Sequence, residues 1–270
     1  MHGLTIGIIG GTGWLGRSIA TALVQTEWLD PAALILSSRS GSLSEPGILS
    51  GVRITADNQD LVRQSDMVIL SVRPEDLAAV RIDMQDRLLI SLVAGVCMSD
   101  LQNHVGSQRV IRAMPNAALE TRQSYTPWLA SERVQAADKA LVQQLFETCG
   151  QADEVHSERE LDYLTGLTGT GPSYPALLAK AMYNCAIAQG IAEPIARRAV
   201  AAVVVQASQL ITPQRDFEAL LQTLLDYKGV SAAGINGMLA GGLEASVKSG
   251  LDAAMGVAQS SLWDGPDRNK

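Results

Sequence analysis

The chain has 270 residues, 47% hydrophobic and 18% charged, which supplies a sizeable core and excludes disorder over most of its length. Domains cluster near about 100 to 150 residues, so two are expected. The formal charge of -7, from 21 basic and 28 acidic residues with no run of Lys and Arg, argues against nucleic acid as a partner.

Cys97, Cys149 and Cys185 share no short spacing. They argue against a disulfide framework or a metal site and read as buried, inert thiols in a reducing compartment. The first residues lack a charged segment followed by a long apolar one, so no secretory signal is expected. No stretch reaches about 18 uninterrupted apolar residues. The best candidate, 196–211, contains Arg197, Arg198 and Gln206. A cytoplasmic protein that does not enter the membrane is the expectation.

Short apolar runs at 4–9, 33–37, 67–72, 88–92 and 110–113 read as strands. They are continuous rather than alternating, as parallel strands covered on both faces are. Helical spacing appears at 15–25 and 136–149, with shorter candidates at 56–64 and 75–80. This βαβ rhythm implies a Rossmann-like doubly wound parallel sheet over residues 1–157.

After the first strand comes Gly10-Gly11-Thr12-Gly13-Trp14-Leu15-Gly16. In the spacing Gly11-x-Gly13-x-x-Gly16, the glycines turn the chain, admit a pyrophosphate close to the backbone and bring helix to sheet. The phosphates then meet a helix N-terminus, where free N–H groups and the dipole favour negative charge. The competing reading is a Gly-rich turn that serves packing alone. The second strand ends in Ser37-Ser38-Arg39-Ser40 with no carboxylate. An Asp or Glu there would favour NAD, whereas serines and an Arg offer a charge-assisted clamp for a 2′-phosphate, so NADP(H) is preferred over NAD(H). A solvated Ser-rich loop with a surface Arg is the alternative. Further along, Val72-Arg73-Pro74, Ala94-Gly95-Val96 and Arg112-Ala113-Met114-Pro115-Asn116 stand at strand C-terminal ends, the edge where open α/β sheets bind ligands.

From residue 158 the pattern turns helical, with Ala-rich helices expected at 158–167, 172–189, 193–211, 216–227, 231–240 and 242–260. Pro172 and Pro194 suit first turns and Gly190 a helix end; the tail 264–270 reads as frayed. Residues 200–205 are apolar on every side of a helix, which asks for burial on all faces. A homodimer through these helices would supply the covering layer, and packing within one subunit is the alternative. Thr168-Gly169-Thr170-Gly171-Pro172-Ser173-Tyr174 and Tyr227-Lys228-Gly229-Val230-Ser231 place glycines and hydroxyls before helices, as carboxylate sites or as ordinary caps. His2, His104 and His156 fall outside every motif and read as surface residues.

Taken together, the Gly loop, Val72-Arg73-Pro74, Ala94-Gly95-Val96, Arg112 to Asn116, Gly169 to Tyr174 and Gly241-Gly242-Leu243 resemble the pyrroline-5-carboxylate reductase family over about residues 4–258. The resemblance implies NAD(P)H-dependent reduction of a cyclic imine carboxylate, 1-pyrroline-5-carboxylate to proline. It also implies a helical C-terminal dimerisation domain, here 158–270, that sometimes builds larger rings. By position, Gly11, Thr12, Gly13, Trp14 and Leu15 hold pyrophosphate, and Ser38 and Arg39 hold the adenosine phosphate. Val72, Arg73 and Pro74 border the ribose, while Ala94, Met114 and Asn116 line the nicotinamide region. Lys228, Gly229, Val230 and Ser231 form the substrate loop.

Several positions depart from the family pattern. The Gly loop is one residue longer, Ala117-Ala118 replaces the family's Thr-Pro, and in the substrate loop only Gly229 and the final hydroxyl persist. Lys180 stands where the family generally has an acidic residue, four residues before Asn184 on one helix face. Hydride transfer to an imine carbon requires a proton or hydrogen bond at nitrogen. Ser231, Thr170, Tyr174, Lys180 and Lys228, or water, are the candidate donors; Lys180 meets the substrate carboxylate, or supplies the proton if burial depresses its pKa, or is an ordinary surface lysine. Two other readings are a divergent reductase of another cyclic imine or small keto compound, and a nucleotide-binding regulator that has lost catalysis.

Overall fold

The structure is a computed structural model that describes residues 3–260. His2 and the expected frayed tail at 264–270 lie outside the described residues. The chain divides into two compact units, one running to Gly171 and resuming at Asp252, the other spanning Pro172–Leu251. The division expected at 157/158 falls earlier than this exchange of contacts.

In the first unit, eight strands form one sheet: β1 (Ile6–Ile9), β2 (Leu34–Ser37), β3 (Arg53–Thr55), β4 (Met67–Leu70), β5 (Leu88–Ser91), β6 (Val110–Ala113), β7 (Ser124–Ala130) and β8 (Gly150–Glu154). Their order is β3-β2-β1-β4-β5-β6-β7-β8. The first six are parallel, β7 runs antiparallel to β6, and β8 is parallel to β7.

Alternate residues of the apolar strands feed two cores. Ile6, Ile8, Leu34 and Leu36 pack with Ile19 and Leu23 of α1 (Trp14–Gln25) and Phe146 of α5 (Ala136–Glu147). Ile9, Ile35, Val68 and Leu70 pack on the other face with Leu61 of α2 (Asn58–Arg63), Leu77 of α3 (Pro74–Leu77) and Leu101 of α4 (Met98–Val105). Both faces of each central strand are covered, which is why these strands read as unbroken apolar runs.

Sequence reading does not identify β3, β7, β8 or α4. Arg53-Ile54-Thr55 is a short polar edge, and β8 exposes Gln151 and Asp153. β7 carries Pro127, which cannot donate to a ladder; its carbonyl instead accepts from the Met114 N–H at 3.0 Å, and the adjacent Trp128 is buried.

α6 (Glu158–Leu164) passes into a π-helical turn, Thr165–Gly169. Gly166 lets this turn meet the end of α11 (Leu243–Gln259), since a Cβ there would lie 3.1 Å from the Met255 nitrogen. Within the second unit stand α7 (Ser173–Ala188), α8 (Glu193–Ala201), α9 (Phe217–Asp226), α10 (Val230–Ala240) and the first part of α11. Pro172 is the N-cap of α7 rather than a first-turn residue, while Pro194 does lie in the first turn of α8. The helix expected at 193–211 changes winding after Ala201, through a π turn at Ala202–Gln206 and a 3-10 turn at Ala207–Leu210.

Among the described residues of this unit, Ala196 and Ala232 alone are buried. Val203 and Val205 are 50% and 57% exposed, so the all-round cover expected for 200–205 is absent from the single chain. The cysteine reading is also corrected: Cys149 is buried, Cys97 is half-buried and Cys185 is exposed. Burial pushes the Cys149 thiol up to about 11. Among the described residues no helix is long and apolar enough to cross a membrane.

Candidate active site

The site begins where β1 ends. Gly10 has φ +75°, and a Cβ there would fall 2.3 Å from the Ser71 carbonyl oxygen. Gly10, rather than Gly11, therefore makes the turn, because side chain and conformation are both refused there. Gly11 donates its N–H to the Ser37 carbonyl at 3.1 Å, and Gly13 donates to that of Gly10 at 3.0 Å. A Cβ on Gly11 would meet Leu36 Cδ2 at 2.8 Å, and one on Gly16 would meet the Gly10 oxygen at the same distance. The glycines thus press the turn flat against strand and helix.

Gly13 is the N-cap of α1, with no side-chain cap and no acidic residue in the first turn. The helix's opening N–H groups and its positive end face the turn without a competing carboxylate, which is the chemistry a pyrophosphate needs.

A cleft of about 700 Å³ at this strand edge collects Thr12 and Gly13, Ser38 and Arg39, and Val72 and Arg73, a size suited to a cofactor. Sequence motifs separated along the chain converge there because β1, β2 and β4 are neighbours in one parallel sheet. Beyond β2, Gly41 N–H donates to the Ser38 carbonyl at 3.1 Å. The Ser38 hydroxyl donates to the Ser42 carbonyl at 3.2 Å, and the Ser42 hydroxyl donates to Ser40 Oγ at 3.0 Å. Hydroxyls and a guanidinium on one turn fit an anionic group.

The cleft also includes residues absent from the sequence-based site: Gly10, Ser37, Asn58, Ser71, Glu75 and Asp76. Ser37 Oγ donates to Asn58 Oδ1 at 2.6 Å, and Arg73 lies 3.7 Å from Glu75. Position immediately after a strand signals Ser71; Asn58 carries no comparable signal, since it arrives on the first turn of α2.

Pro74, Ala94, Met114 and Asn116 do not line this cleft, nor do Trp14 and Leu15. The Trp14 indole N–H donates to the Glu120 carboxylate. With Arg17 and Arg122, these two residues line a smaller cleft of about 380 Å³. Ala94 packs against the buried cluster containing Met114 and Leu161. Asn116 caps the 3-10 turn Ala117–Thr121 through Oδ1, which accepts from the Ala118 N–H at 2.9 Å. Gly171, at φ +57°, approaches this cap, with its Cβ position 3.5 Å from Ala117 Cβ and 3.7 Å from Asn116 Cβ. The Met-Pro-Asn segment and the Gly169–Gly171 turn, distant in sequence, are therefore adjacent.

Arg112 fastens β6 to α6. Its guanidinium pairs with Glu158 at 2.6 Å and Asp162 at 3.3 Å while its side chain is 4% exposed. Glu158 Oε1 also accepts the Met98 N–H at 2.7 Å. Burial raises the Asp162 carboxyl above its ordinary value, against the opposing pull of Arg112.

Residues 158–261 match the family model for pyrroline-5-carboxylate reductase dimerisation, and residues 5–95 match that for NADP oxidoreductase, coenzyme F420-dependent. The pyrroline-5-carboxylate reductase of Pisum sativum is 28% identical over 257 residues, covering 93% of each chain. That of Pseudomonas aeruginosa is 29% identical, covering 83% of this chain and 85% of its own. The chain is similar over most of its length to pyrroline-5-carboxylate reductases. Among solved structures, the Coxiella burnetii pyrroline-5-carboxylate reductase superposes with a TM-score of 0.84 at 26% identity, covering 95% of this chain and 97% of that one. A Plasmodium falciparum pyrroline carboxylate reductase with NADP bound shares the fold at 0.82 and 20% identity, over 96% and 98% of the two chains.

The candidate proton donors and the substrate loop differ in setting. Thr170 and Tyr174 are half-buried, whereas Lys180, Lys228, Gly229, Val230 and Ser231 are exposed. The burial invoked for Lys180 as a proton donor is therefore not present in the single chain. Gly229 is the N-cap of α10, and Ser231 is its second residue, inside the helix rather than before it. Lys228 adopts φ +50°. Of the histidines, His156 is exposed, but His104 is half-buried, with Nε2 2.9 Å from the Val80 carbonyl oxygen.

Proposed function

We propose that this chain is an NADPH-dependent reductase that converts 1-pyrroline-5-carboxylate to proline. The carrying observation is one cleft lined both by Gly10, Thr12 and Gly13 of the glycine turn and by Ser38 and Arg39, in a chain whose relatives are named as pyrroline-5-carboxylate reductases.

Gly11, Thr12, Gly13, Trp14 and Leu15 form the pyrophosphate turn, and Gly10 shapes it. Ser38 and Arg39 take the 2′-phosphate, which favours NADP(H) over NAD(H). Val72, Arg73 and Pro74 border the ribose, and Ala94, Met114 and Asn116 shape the nicotinamide end. Bound NADPH supplies the hydride. The protein's tasks are to hold the imine carboxylate and to place a proton at its nitrogen, where charge otherwise develops. Lys228, Gly229, Val230 and Ser231 receive the carboxylate; Ser231, Lys180, Thr170 and Tyr174 are the candidates for the proton.

Residues 1–157 serve the cofactor and 158–270 serve substrate and assembly, a division supported by the dimerisation match at 158–261. The helical unit forms a homodimer, since its apolar helices lack cover within one chain. The cytoplasm is the proposed location.

The test is loss of NADPH absorbance with 1-pyrroline-5-carboxylate, beside a six-membered imine carboxylate and an NADH control. Turnover confined to the five-membered ring is expected. Activity on the larger ring alone would redirect the assignment to another imine, and silence with every imine, despite cofactor binding, would make the chain a regulatory binder.

A further inference from the structure

The loop after β2 presents Ser38 and Arg39 to the cleft, yet its own bonds are few and exposed. Beside the Ser38 N–H bond to the Thr55 carbonyl at 3.1 Å, the Ser38, Ser40 and Ser42 hydroxyls bond to one another and to the Ser42 carbonyl, at exposed positions open to competing water. A Ser/Gly turn of this kind loses conformational entropy when it orders around a ligand, so an external brace improves binding by paying that cost in advance.

Arg17 is placed to be that brace. From α1, its Nη1–H donates to the Ser44 carbonyl at 3.2 Å and its Nη2–H to the Glu45 carbonyl at 2.5 Å. Glu45 has φ +52°, a region costly for a residue with a Cβ and therefore dependent on its surroundings. The planar fork of a guanidinium can hold two successive carbonyls at once. At its other end, the Arg17 backbone N–H donates to the Gly13 carbonyl at 2.8 Å, in the first turn of the helix that the phosphate turn caps. Arg17 lines the smaller cleft beside α1 and not the one containing Ser38 and Arg39.

We propose that Arg17 is a positioning residue for cofactor selectivity: it fixes the 38–45 loop to the pyrophosphate turn, so that Ser38 and Arg39 meet a ribose 2′-phosphate in a prepared geometry. This rests on the reading of Ser38 and Arg39 as the 2′-phosphate clamp.

Calorimetric affinities of the full-length protein for NADP+ and NAD+ test it in Arg17→Met, Arg17→Gln and Arg39→Ala. Arg17→Met is expected to weaken NADP+ binding about tenfold and NAD+ binding less than about twofold. Arg17→Gln, neutral but still a donor, is expected to recover part of the loss. A lowered NADP+/NAD+ ratio in Arg39→Ala beside an unchanged ratio in Arg17→Met overturns the brace and leaves the clamp standing. Unchanged ratios in both overturn the clamp and the brace together. Equal weakening of both nucleotides by Arg17→Met, or no recovery in Arg17→Gln, assigns the effect to the turn or to charge alone and overturns positioning.

Discussion

The two units of this chain use apolar residues in opposite ways. In the first, Ile, Leu and Val of the central strands sit at or near zero exposure between two layers of helices. In the second, Leu177, Ile195, Val205, Leu210 and Phe217 are all more than half exposed, and burial is confined to Ala196 and Ala232 among the described residues. A sheet that covers both its faces completes its core within one chain. The helical unit does not, and the proposed homodimer would tie its stability to protein concentration.

The sharpest way to break that contrast is a charge on the uncovered helices. Val205→Asp is expected to abolish the homodimer and to lower turnover on the order of a hundredfold, measured by light scattering and NADPH oxidation. Dimers that persist with full activity would show that Val205 lies outside the interface.

A smaller effect is expected inside the first unit. Arg112→Met leaves Asp162 and Glu158 without their cation and is expected to cost about 2–3 kcal/mol in urea unfolding, because removing one partner strands the other in a desolvated site. Asp162 is 13% and Glu158 41% exposed, so solvent screening at Glu158 keeps the cost towards the lower end. A change within a few tenths of a kcal/mol would show that the pairing contributes nothing net.

The smallest effect concerns pH. Burial holds the His104 imidazole below its ordinary value of 6.5, despite its hydrogen bond to the Val80 carbonyl. The unfolded chain therefore takes up the proton first, and stability falls as pH drops below about 6.5 towards the lowered value in the fold. His104→Gln is expected to flatten that part of the melting-temperature profile. An unaltered slope would place the acid sensitivity elsewhere.

The contrast between units also explains what sequence reading saw and what it missed. The central strands were legible because burial on both faces leaves no polar residue in the run. β7 and β8 were not, because Pro127 removes a donor and β8 alternates toward solvent. Gly11 was the turn residue in the motif, yet Gly10 bears the positive φ, since only the approach of Ser71 from β4 decides which glycine must bend. Helical spacing starts α10 at Ser231, whereas Gly229 is its N-cap and the helix begins one residue earlier, at Val230.

By itself, the sequence determined the βαβ architecture, the helical second half, the glycine turn and the resemblance to pyrroline-5-carboxylate reductases, since these are written in local periodicity, in residues with special backbone freedom and in motif order. Tertiary structure alone decided which motifs share a cleft, that Arg17 reaches the loop beyond β2, that Asn116 meets Gly171, and that Arg112 is closed by Glu158 and Asp162. These contacts join residues far apart in the chain, and side-chain type carries no record of the distant partner that the sheet order brings within hydrogen-bonding reach.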